Sequence, residues 1–338
     1  MRLLQSNLQQ LQEIDGIDLD QLAPTIADAL QVTKALGERY IWVDSMCIVQ
    51  DDNADTSREI AKMDSIYRHG RLTIVAAGLV ADGSDPGLPG VRPDSRPVQQ
   101  QTVDIREARF AAVGPDLWAL LSASKWQTRA WTYQEHVLSK RQLIFTPYQA
   151  YFSCECDCFT EEYIDKACVH EDADDPAELL ACCAYQTPAT TDDHGLEGSN
   201  NFVTSYEVMV REMSSRELSF DSDVLRAITG LLHLTCSETN VRFLCGLPIP
   251  YLLTRFVLWL PKDRFRRRLL TSTGASFPSW SWIGWVGAVE YPLSSESFDS
   301  SRISFTDQAL LTAGRLSYRT TTLLRDHPAS ARAMRRRI

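Results

Sequence analysis

Apolar residues recur at the spacing of an α-helix in the first part of the chain. Residues 22–36 carry apolar side chains and one threonine three or four positions apart, with Pro24 near the start and Gly37 just past the end. Proline in the first turn and glycine after the last turn commonly mark helix boundaries. The sequence therefore predicts a helix over residues 22–36.

The next pattern is a strand, a helix and a second strand. The run YIWVDSMCIV, residues 40–49, is β-branched and aromatic, which is typical of a buried strand. Thr56 and Glu59 have the spacing of a capping box, so they predict the start of a helix that ends at Gly70. LTIVAAG, residues 72–78, predicts another buried strand. This order predicts a βαβ unit and a parallel sheet covered by helices.

The remaining patterns extend this α/β architecture. Residues 117–138 predict mostly helix, and RQLIFT and AYFSCEC predict strands that follow it. Beyond an acidic segment, two amphipathic helices are predicted over residues 202–213 and 221–235, the second capped by Asp221 or Ser222. The tryptophan-rich run FPSWSWIGWVGAVEY then predicts further strands.

Composition narrows the functional classes. The chain has 338 residues and a net charge of −10, which argues against a general nucleic-acid binder because that function needs a basic face. No apolar run reaches the roughly 20 residues of a membrane span, and glutamines interrupt the leucines near the N-terminus, which disfavours a signal peptide. The nine cysteines are then expected to be free thiols in a cytoplasmic protein.

In a parallel sheet, ligands gather beyond the carboxyl ends of the strands, which makes residues 44–52 and the loop over residues 81–97 candidates for a site. The loop matches neither G-x-G-x-x-G nor the P-loop pattern, so a dinucleotide or P-loop site is not supported. Cys47 is a candidate nucleophile or a buried strand cysteine. Asp44, Asp51 and Asp52 could bind a hard cation or cap loops.

The run CECDC is a candidate metal site. Its three thiols, Cys154, Cys156 and Cys158, alternate along a predicted strand, whereas structural zinc sites use two Cys-x2–4-Cys knuckles. Reduced thiols therefore fit better than a metal site, and no metal is expected.

The stretch RAWTYQE places Trp131 and Glu135 four residues apart in a predicted helix, and hence on one helical face. An apolar neighbour can desolvate a carboxylate and raise its pKa, as in a catalytic acid or base. The alternative is a half-buried helix with a solvated glutamate at its rim. The residues alone leave both interpretations open.

Several long motifs in one order resemble the fungal heterokaryon-incompatibility (HET) domain. They are RYIWVDSMCIVQDD, EIAKMDSIYRHGRLTIVAA, GLPGV and WQTRAWTYQEHVLSKRQLIFT, over residues 22–152, and the resemblance extends more loosely to about residue 291. It implies a flavodoxin- or TIR-like parallel sheet flanked by helices, followed by a mixed α+β C-terminal region. It also implies a role in non-self recognition, in which activation leads to growth arrest or programmed cell death.

HET domains are also distantly similar to TIR domains, many of which cleave NAD with one glutamate that follows a tryptophan by four positions. By this resemblance Glu135 is the candidate catalytic residue of an NAD nucleosidase, and Trp131 shapes its pocket. NAD is then a substrate, and no cofactor is expected. The other motif and pocket residues are Arg129, Gln134, Asp44, Cys47, Gln50, Asp51 and Asp52.

The resemblance and the composition together predict four regions: a HET domain over residues 1–160, an acidic linker over 161–200, a helical and tryptophan-rich region over 201–318, and a basic disordered tail over 319–338. The family's usual opening strand, similar to ALSYxWG, is not found before Leu22, which implies an N-terminally truncated HET domain. An NAD-cleaving effector, a non-enzymatic interaction module and an inactive truncated copy remain alternatives. Other HET or NLR-type proteins, or a second copy of the chain, are the expected partners.

Overall fold

The computed structural model describes residues 1–78, 85–106, 108–154, 158–161, 197–249, 257–268 and 277–291. They fall into two compact units, one formed by residues up to 161 and the other by residues from 197 onwards. Most of the predicted linker and all of the predicted tail lie outside the described residues. The predicted domain limits therefore stay a prediction.

Short helices make up much of the first unit. They are α1 (Leu8–Gln12), α2 (Pro24–Ala35), α3 (Asp44–Cys47), α4 (Asn53–Ile60), α5 (Met63–His69), α6 (Leu117–Ser122), α7 (Lys125–Thr128) and α8 (Ala130–Leu138). The helix predicted over residues 22–36 is confirmed as α2, and the one predicted over residues 117–138 is confirmed as three consecutive helices. Within the described ranges, no helix is both long and apolar enough to cross a membrane.

The strands of the first unit form a four-stranded sheet and a separate hairpin. They are β1 (Thr73–Ala76), β2 (Thr102–Ile105), β3 (Ala108–Ala111), β4 (Arg141–Phe145), β5 (Ala150–Cys154) and β6 (Cys158–Thr160). The sheet order is β1-β4-β5-β6, and β2 pairs with β3 alone among the described strands.

The predicted α/β class is confirmed, with helices alongside a mixed sheet that contains one parallel pair. β1 and β4 are parallel, whereas β4–β5 and β5–β6 are antiparallel. A parallel pair needs a long crossover, and the chain between β1 and β4, which includes α6–α8, supplies it. Only residues 146–149 join β4 to β5, which is enough for a hairpin and too short for a parallel crossover.

The predicted strand over residues 40–49 is not formed. Residues 40–43 have no regular structure, and α3 begins at Asp44. Backbone groups of this segment bond to the N-terminus instead: Leu3 N–H donates to the Ser45 carbonyl (2.8 Å), and Gln50 N–H donates to the Leu3 carbonyl (2.9 Å). These two bonds hold residues 45–50 against Leu3 rather than in the sheet. The predicted βαβ unit is therefore wrong at its first strand.

The predicted start of the following helix is also wrong. α4 begins at Asn53, and its N-cap is Asp52, whose side chain accepts the N–H groups of Ala54 and Asp55. The hydroxyl of Thr56 donates to the Val49 carbonyl at 3.2 Å. The helical stretch is interrupted before α5, which ends at Gly70 as predicted.

The sheet buries apolar side chains on both faces. Alternate residues of a strand point to opposite faces, and Val75 and Ile144 pack with α6 and α7 residues such as Leu121 and Trp126. Phe145 belongs to a second cluster, with Ala29 of α2 and Leu88. Each fully buried side chain of this kind contributes about 1.5–3 kcal/mol relative to exposure. Ile144 and Phe145 are neighbours in β4, so the two clusters lie on opposite faces of the sheet.

A loop over residues 85–92 is fastened to α2 by a buried carboxylate. Asp28 accepts the Leu88 N–H at 2.8 Å, and the Arg92 Nε lies 3.0 Å from its Oδ1. Gly87 has a φ of +78°, and a Cβ at this position would lie 2.2 Å from Asp28 Oδ2. Glycine is thus required both by the backbone conformation and by the close approach to Asp28.

The second unit is a mixed α+β region, as predicted. It contains α9 (Glu197–Ser214), α10 (Arg226–Thr239), β7 (Phe243–Leu244), β8 (Leu247–Pro248), β9 (Leu260–Pro261), β10 (Arg266–Arg267), β11 (Trp285–Val286) and β12 (Val289–Glu290). The strands pair as short antiparallel ribbons, β7–β8, β9–β12 and β10–β11. Trp282 is 1% exposed, so the tryptophan-rich run contributes to a core.

The predicted cap of the second amphipathic helix is wrong. α10 begins at Arg226, and its N-cap, Leu225, makes no side-chain capping bond. Asp221 instead accepts hydrogen bonds from the guanidinium groups of Arg266 (2.6 Å) and Arg268 (3.5 Å). Pairing with these arginines takes the carboxylate away from the helix terminus.

Candidate functional site

Glu135 of α8 and Tyr67 of α5 form the centre of the candidate site. The Tyr67 hydroxyl donates a hydrogen bond to the Glu135 carboxylate, and the two helices pack against each other. Both residues are half-buried. The Trp42 ring contacts the Tyr67 ring edge to face, with 5.9 Å between ring centroids. This favourable aromatic geometry restricts the orientation of the tyrosine.

Side-chain hydrogen bonds fix the backbone that carries Glu135. The Thr132 hydroxyl lies 2.6 Å from the Trp126 carbonyl oxygen and 2.7 Å from that of Arg129, which secures the α7–α8 junction. At the other end, the Ser139 hydroxyl donates to the Glu135 carbonyl at 2.6 Å. A half-buried carboxylate on a backbone held at both ends has little freedom to move away from its neighbours.

His136, next to Glu135, is held in a separate set of contacts. Its Nδ1 donates to Gln142 Oε1 at 2.9 Å, and Gln142 Nε2 donates to the His136 carbonyl at 2.6 Å. The Trp126 ring also packs edge to face on the imidazole, at 5.6 Å between centroids. These contacts tie the end of α8 to β4.

Burial raises the pKa of Glu135 above its ordinary value, and neighbouring charges modify this effect. Arg129 lowers the pKa, Asp44 raises it, and the hydrogen bond from Tyr67 lowers it. The pKa of Tyr67 is raised as well, first by burial and then by the charge of Glu135. Tyr67 therefore stays protonated and serves as a donor, while Glu135 is a carboxyl group whose charged form depends on Arg129 and Tyr67.

The structure brings three of the predicted site residues together and places a fourth nearby. Arg129 and Asp44 both act electrostatically on Glu135, although they come from different parts of the chain. Trp131 is half-buried and lies one helical turn before Glu135 on α8. Gln134 differs from these, since it is 1% exposed and its side chain is enclosed by the protein interior.

The other predicted residues of the α3–α4 region bond to backbone groups. Gln50 Nε2 donates to the Asp44 carbonyl (3.2 Å) and the Ile48 carbonyl (3.0 Å). Asp51 accepts the Gln5 N–H at 2.8 Å, while Asp52 caps α4. The two aspartates therefore fit the loop-capping alternative.

The positions of the described cysteines support neither a cysteine nucleophile nor a metal site. Cys47 is half-buried, and its sulfur accepts the Val43 N–H at 3.5 Å. Cys154 is half-buried and Cys158 buried, while Cys156 lies outside the described residues. Within those residues, no group of three His, Cys, Asp or Glu side chains could hold a metal ion.

Sequence reasoning missed Tyr67 and Trp42 as members of the site. The helical pattern assigns Tyr67 to the apolar side of its helix, together with residues such as Met63. The available signal was its hydroxyl, because a polar group on a half-buried face needs a hydrogen-bond partner. The identity of that partner depends on the packing of α5 against α8, which periodicity does not specify.

These observations define an α/β domain with a half-buried glutamate at a helix–helix contact. Residues 4–135 match the family model described as "Heterokaryon incompatibility protein (HET)". The chain therefore contains a HET domain, and the match indicates a function related to heterokaryon incompatibility. No curated protein and no solved structure matches the chain.

Proposed function

We propose that this protein is an effector of fungal non-self recognition that triggers programmed cell death by cleaving NAD. The HET domain supports the incompatibility-related role. The observation that carries the chemistry is Glu135, a half-buried carboxyl group that Tyr67 contacts through a hydrogen bond and on which Arg129 acts. The protein would act in the cytoplasm, with other HET or NLR-type proteins or a second copy of itself as partners.

The reaction breaks the bond between ribose C1′ and the nicotinamide nitrogen of NAD. The electron pair of this bond leaves with nicotinamide, which becomes neutral, and an oxocarbenium ion forms at the ribose. A charged Glu135 stabilises that cation, as carboxylates do in glycoside hydrolysis. Water then adds to C1′ and releases a proton, giving ADP-ribose. Trp131, one turn away on α8, forms a wall of the nicotinamide pocket.

The ionisable groups around Glu135 support this role. Burial and Asp44 disfavour the charged carboxylate, whereas Arg129 and Tyr67 favour it. A carboxylate that has lost part of its hydration interacts more strongly with a developing cation than a fully solvated one. We assign Glu135 as the catalytic residue, with Trp131, Arg129 and Asp44 around it.

The test is substitution of Glu135 by glutamine and by alanine in the full chain. We expect release of nicotinamide from NAD to fall by about 100-fold or more, and killing of cells that express the protein to be lost. Glu59→Gln is the matched control, because Glu59 lies on α4 and pairs with Lys62 at 2.9 Å. If NAD consumption and killing both survive the loss of Glu135, the catalytic assignment is wrong.

A non-enzymatic interaction module is the second candidate, and the β2–β3 hairpin favours it. Val103, Ile105 and Phe110 are each more than half exposed (55%, 53% and 52%). Val103 pairs with Phe110 across the hairpin, so these apolar side chains share one face. An exposed apolar face of this kind is common at protein contacts. This function predicts that Phe110→Ser abolishes killing while Glu135→Gln leaves it intact.

A further inference from the structure

The last turn of α8 carries Glu135, and side chains complete its backbone hydrogen bonds. The last four carbonyl groups of a helix have no donor within the helix, and those of Glu135 and His136 are among them. The Ser139 hydroxyl donates to the Glu135 carbonyl at 2.6 Å, and Gln142 Nε2 donates to the His136 carbonyl at 2.6 Å. The placement of Glu135 therefore depends on side chains beyond the end of the helix.

These side chains connect the turn to both parallel strands of the sheet. Thr73 opens β1 and Gln142 lies in β4, and the two residues are partners in the register of the parallel pair. Gln142 contacts the turn directly, whereas Thr73 contacts it through Ser139, whose Oγ lies 2.6 Å from Thr73 Oγ1. Ser139 and Gln142 are only 2% and 3% exposed, so little water reaches these bonds.

The direction of each hydrogen bond between Thr73, Ser139 and Glu135 follows from the number of protons. A hydroxyl carries one proton, and a carbonyl oxygen can only accept. Ser139 uses its proton for the Glu135 carbonyl, so the Thr73 hydroxyl must donate to Ser139 Oγ. Each bond in such a chain polarises the next one. A change at Thr73 is therefore transmitted to the backbone of Glu135.

We infer that Thr73 and Ser139 are positioning residues of the site: their chain of two hydroxyl groups fixes the backbone of Glu135 relative to β1. The inference rests on the proposed function only where it concerns turnover, because the state of the Glu135 carbonyl can be measured without any substrate. A role in packing alone would depend on the shape of the Thr73 side chain. The positioning role depends on its hydroxyl group.

Variants of similar shape isolate this hydrogen bond. Thr73→Val removes the hydroxyl and keeps the branched side chain, whereas Thr73→Ser keeps the hydroxyl. Ser139→Ala removes the whole connection. Thr33→Val is the matched control, because the Thr33 hydroxyl is buried and donates to the Ala29 carbonyl at 2.7 Å within α2. The control loses the same kind of bond on a helix that does not carry Glu135.

The first measurement is NMR of the full chain without substrate. Glutamate labelled with ¹³C at the backbone carbonyl and histidine labelled with ¹⁵N mark one peptide bond, because Glu135–His136 is the single Glu-His pair in the sequence. We expect Ser139→Ala to shift this carbonyl resonance upfield, as for loss of a hydrogen bond, and Thr73→Val to shift it the same way by less. Thr73→Ser and Thr33→Val should leave it in place. An unchanged resonance in Thr73→Val, or an equal shift in Thr33→Val, overturns the inference.

Turnover is the second measurement. A small displacement of a catalytic group can cost about 100-fold in rate, so we expect kcat for nicotinamide release to fall by about 10- to 100-fold in Ser139→Ala. Thr73→Val should lower kcat about fivefold, the size of one neutral hydrogen bond, with KM nearly unchanged. Thr73→Ser should keep the wild-type rate. Thr33→Val should lower the Tm without lowering kcat. Equal losses of kcat in Thr73→Val and Thr73→Ser, or in Thr73→Val and Thr33→Val, contradict the positioning role.

The two measurements separate this inference from the proposed function. If the wild-type protein releases no nicotinamide, the proposed function fails, and the carbonyl resonance still decides whether Thr73 and Ser139 fix the Glu135 backbone. If the wild-type protein releases nicotinamide and the resonance responds while kcat does not, the hydroxyl groups only hold the helix end. That result overturns the inference and leaves the proposed function standing.

Discussion

Two carboxylates of the first unit lie on helices and interact with an arginine, yet their surroundings differ. Asp28 on α2 is fully buried and accepts the Leu88 N–H, with Arg92 Nε at 3.0 Å. Glu135 on α8 is half-buried, and its hydrogen-bond donor is a tyrosine hydroxyl. The first carboxylate joins a loop to a helix, whereas the second belongs to a half-buried residue at the contact between α5 and α8.

The comparison shows that burial of an acidic group is by itself no sign of function. Asp28 is bound by a backbone donor and a guanidinium, the pattern of a structural ion pair. At Glu135, burial raises the pKa, and the exposed Arg129 and the Tyr67 hydroxyl only partly offset it. A half-buried group whose pKa is raised by burial, with charged neighbours acting on it, is the better candidate for chemistry.

Asp28→Ala should have the largest effect on stability. It leaves the Leu88 N–H without its acceptor and separates Arg92 from its partner, so we expect a loss of about 2–4 kcal/mol in the free energy of unfolding. Urea denaturation measures this loss. Asp104→Ala is the matched control, because its pair with Arg109 is largely exposed (63% and 72%) and should matter little. Equal losses in the two variants would contradict a structural role for Asp28.

Gly87→Ala should have the next largest effect. Alanine at a φ of +78° is strained, and its Cβ would lie 2.2 Å from Asp28 Oδ2. We expect a loss of about 2 kcal/mol or more, of which the backbone strain accounts for about 1–2 kcal/mol.

Gly37→Ala separates the two contributions to that loss. Gly37 has a similar φ of +72°, but nothing lies within 4 Å of a Cβ at its position. Its substitution measures the backbone strain alone. If Gly87→Ala costs no more than Gly37→Ala, the contact between the loop and Asp28 adjusts freely and does not fasten the loop.

The elements that the sequence predicts correctly are those whose periodic apolar residues pack into the nearby core. α2, β1 and β4 were found in this way, and their apolar residues do lie in the two clusters of the sheet. Residues 40–49 have the same β-branched character, but Leu3 takes up the backbone groups of Ser45 and Gln50. A contact between segments so far apart in sequence leaves no periodic signal.

The same limit applies to the candidate site. The spacing of Trp131 and Glu135 within one helix pointed to the carboxylate, because neighbours on a helix face can be read from the sequence. Asp44 was proposed from its position within a predicted strand that is not formed, and it reaches the site through α3 instead. Tyr67 could not be assigned, since its role depends on the contact between α5 and α8.

Glu135→Gln should have a smaller effect on stability, and its sign should depend on pH. Burial raises the pKa of Glu135, so the wild-type protein gains stability from this group at low pH and loses it as the pH rises through that pKa. Glutamine has no charge to bury and can still accept the Tyr67 hydrogen bond. Its Tm relative to wild type should therefore increase from pH 4 to pH 8. A Tm difference that is constant, or that decreases over this range, would contradict the raised pKa.

Arg129→Gln should give the smallest effect, because Arg129 is exposed and solvent screens its interaction with Glu135. In the wild-type background the substitution removes the cation that favours the charged carboxylate, so the stability loss should be greater at pH 8 than at pH 4. In the Glu135→Gln background this pH dependence should vanish. The double-mutant cycle should give a coupling below about 1 kcal/mol that weakens in high salt. A coupling of about 2–4 kcal/mol, the size of the loss expected for Asp28→Ala, would mean that Glu135 is also held in a structural ion pair, and the contrast between the two carboxylates would fail.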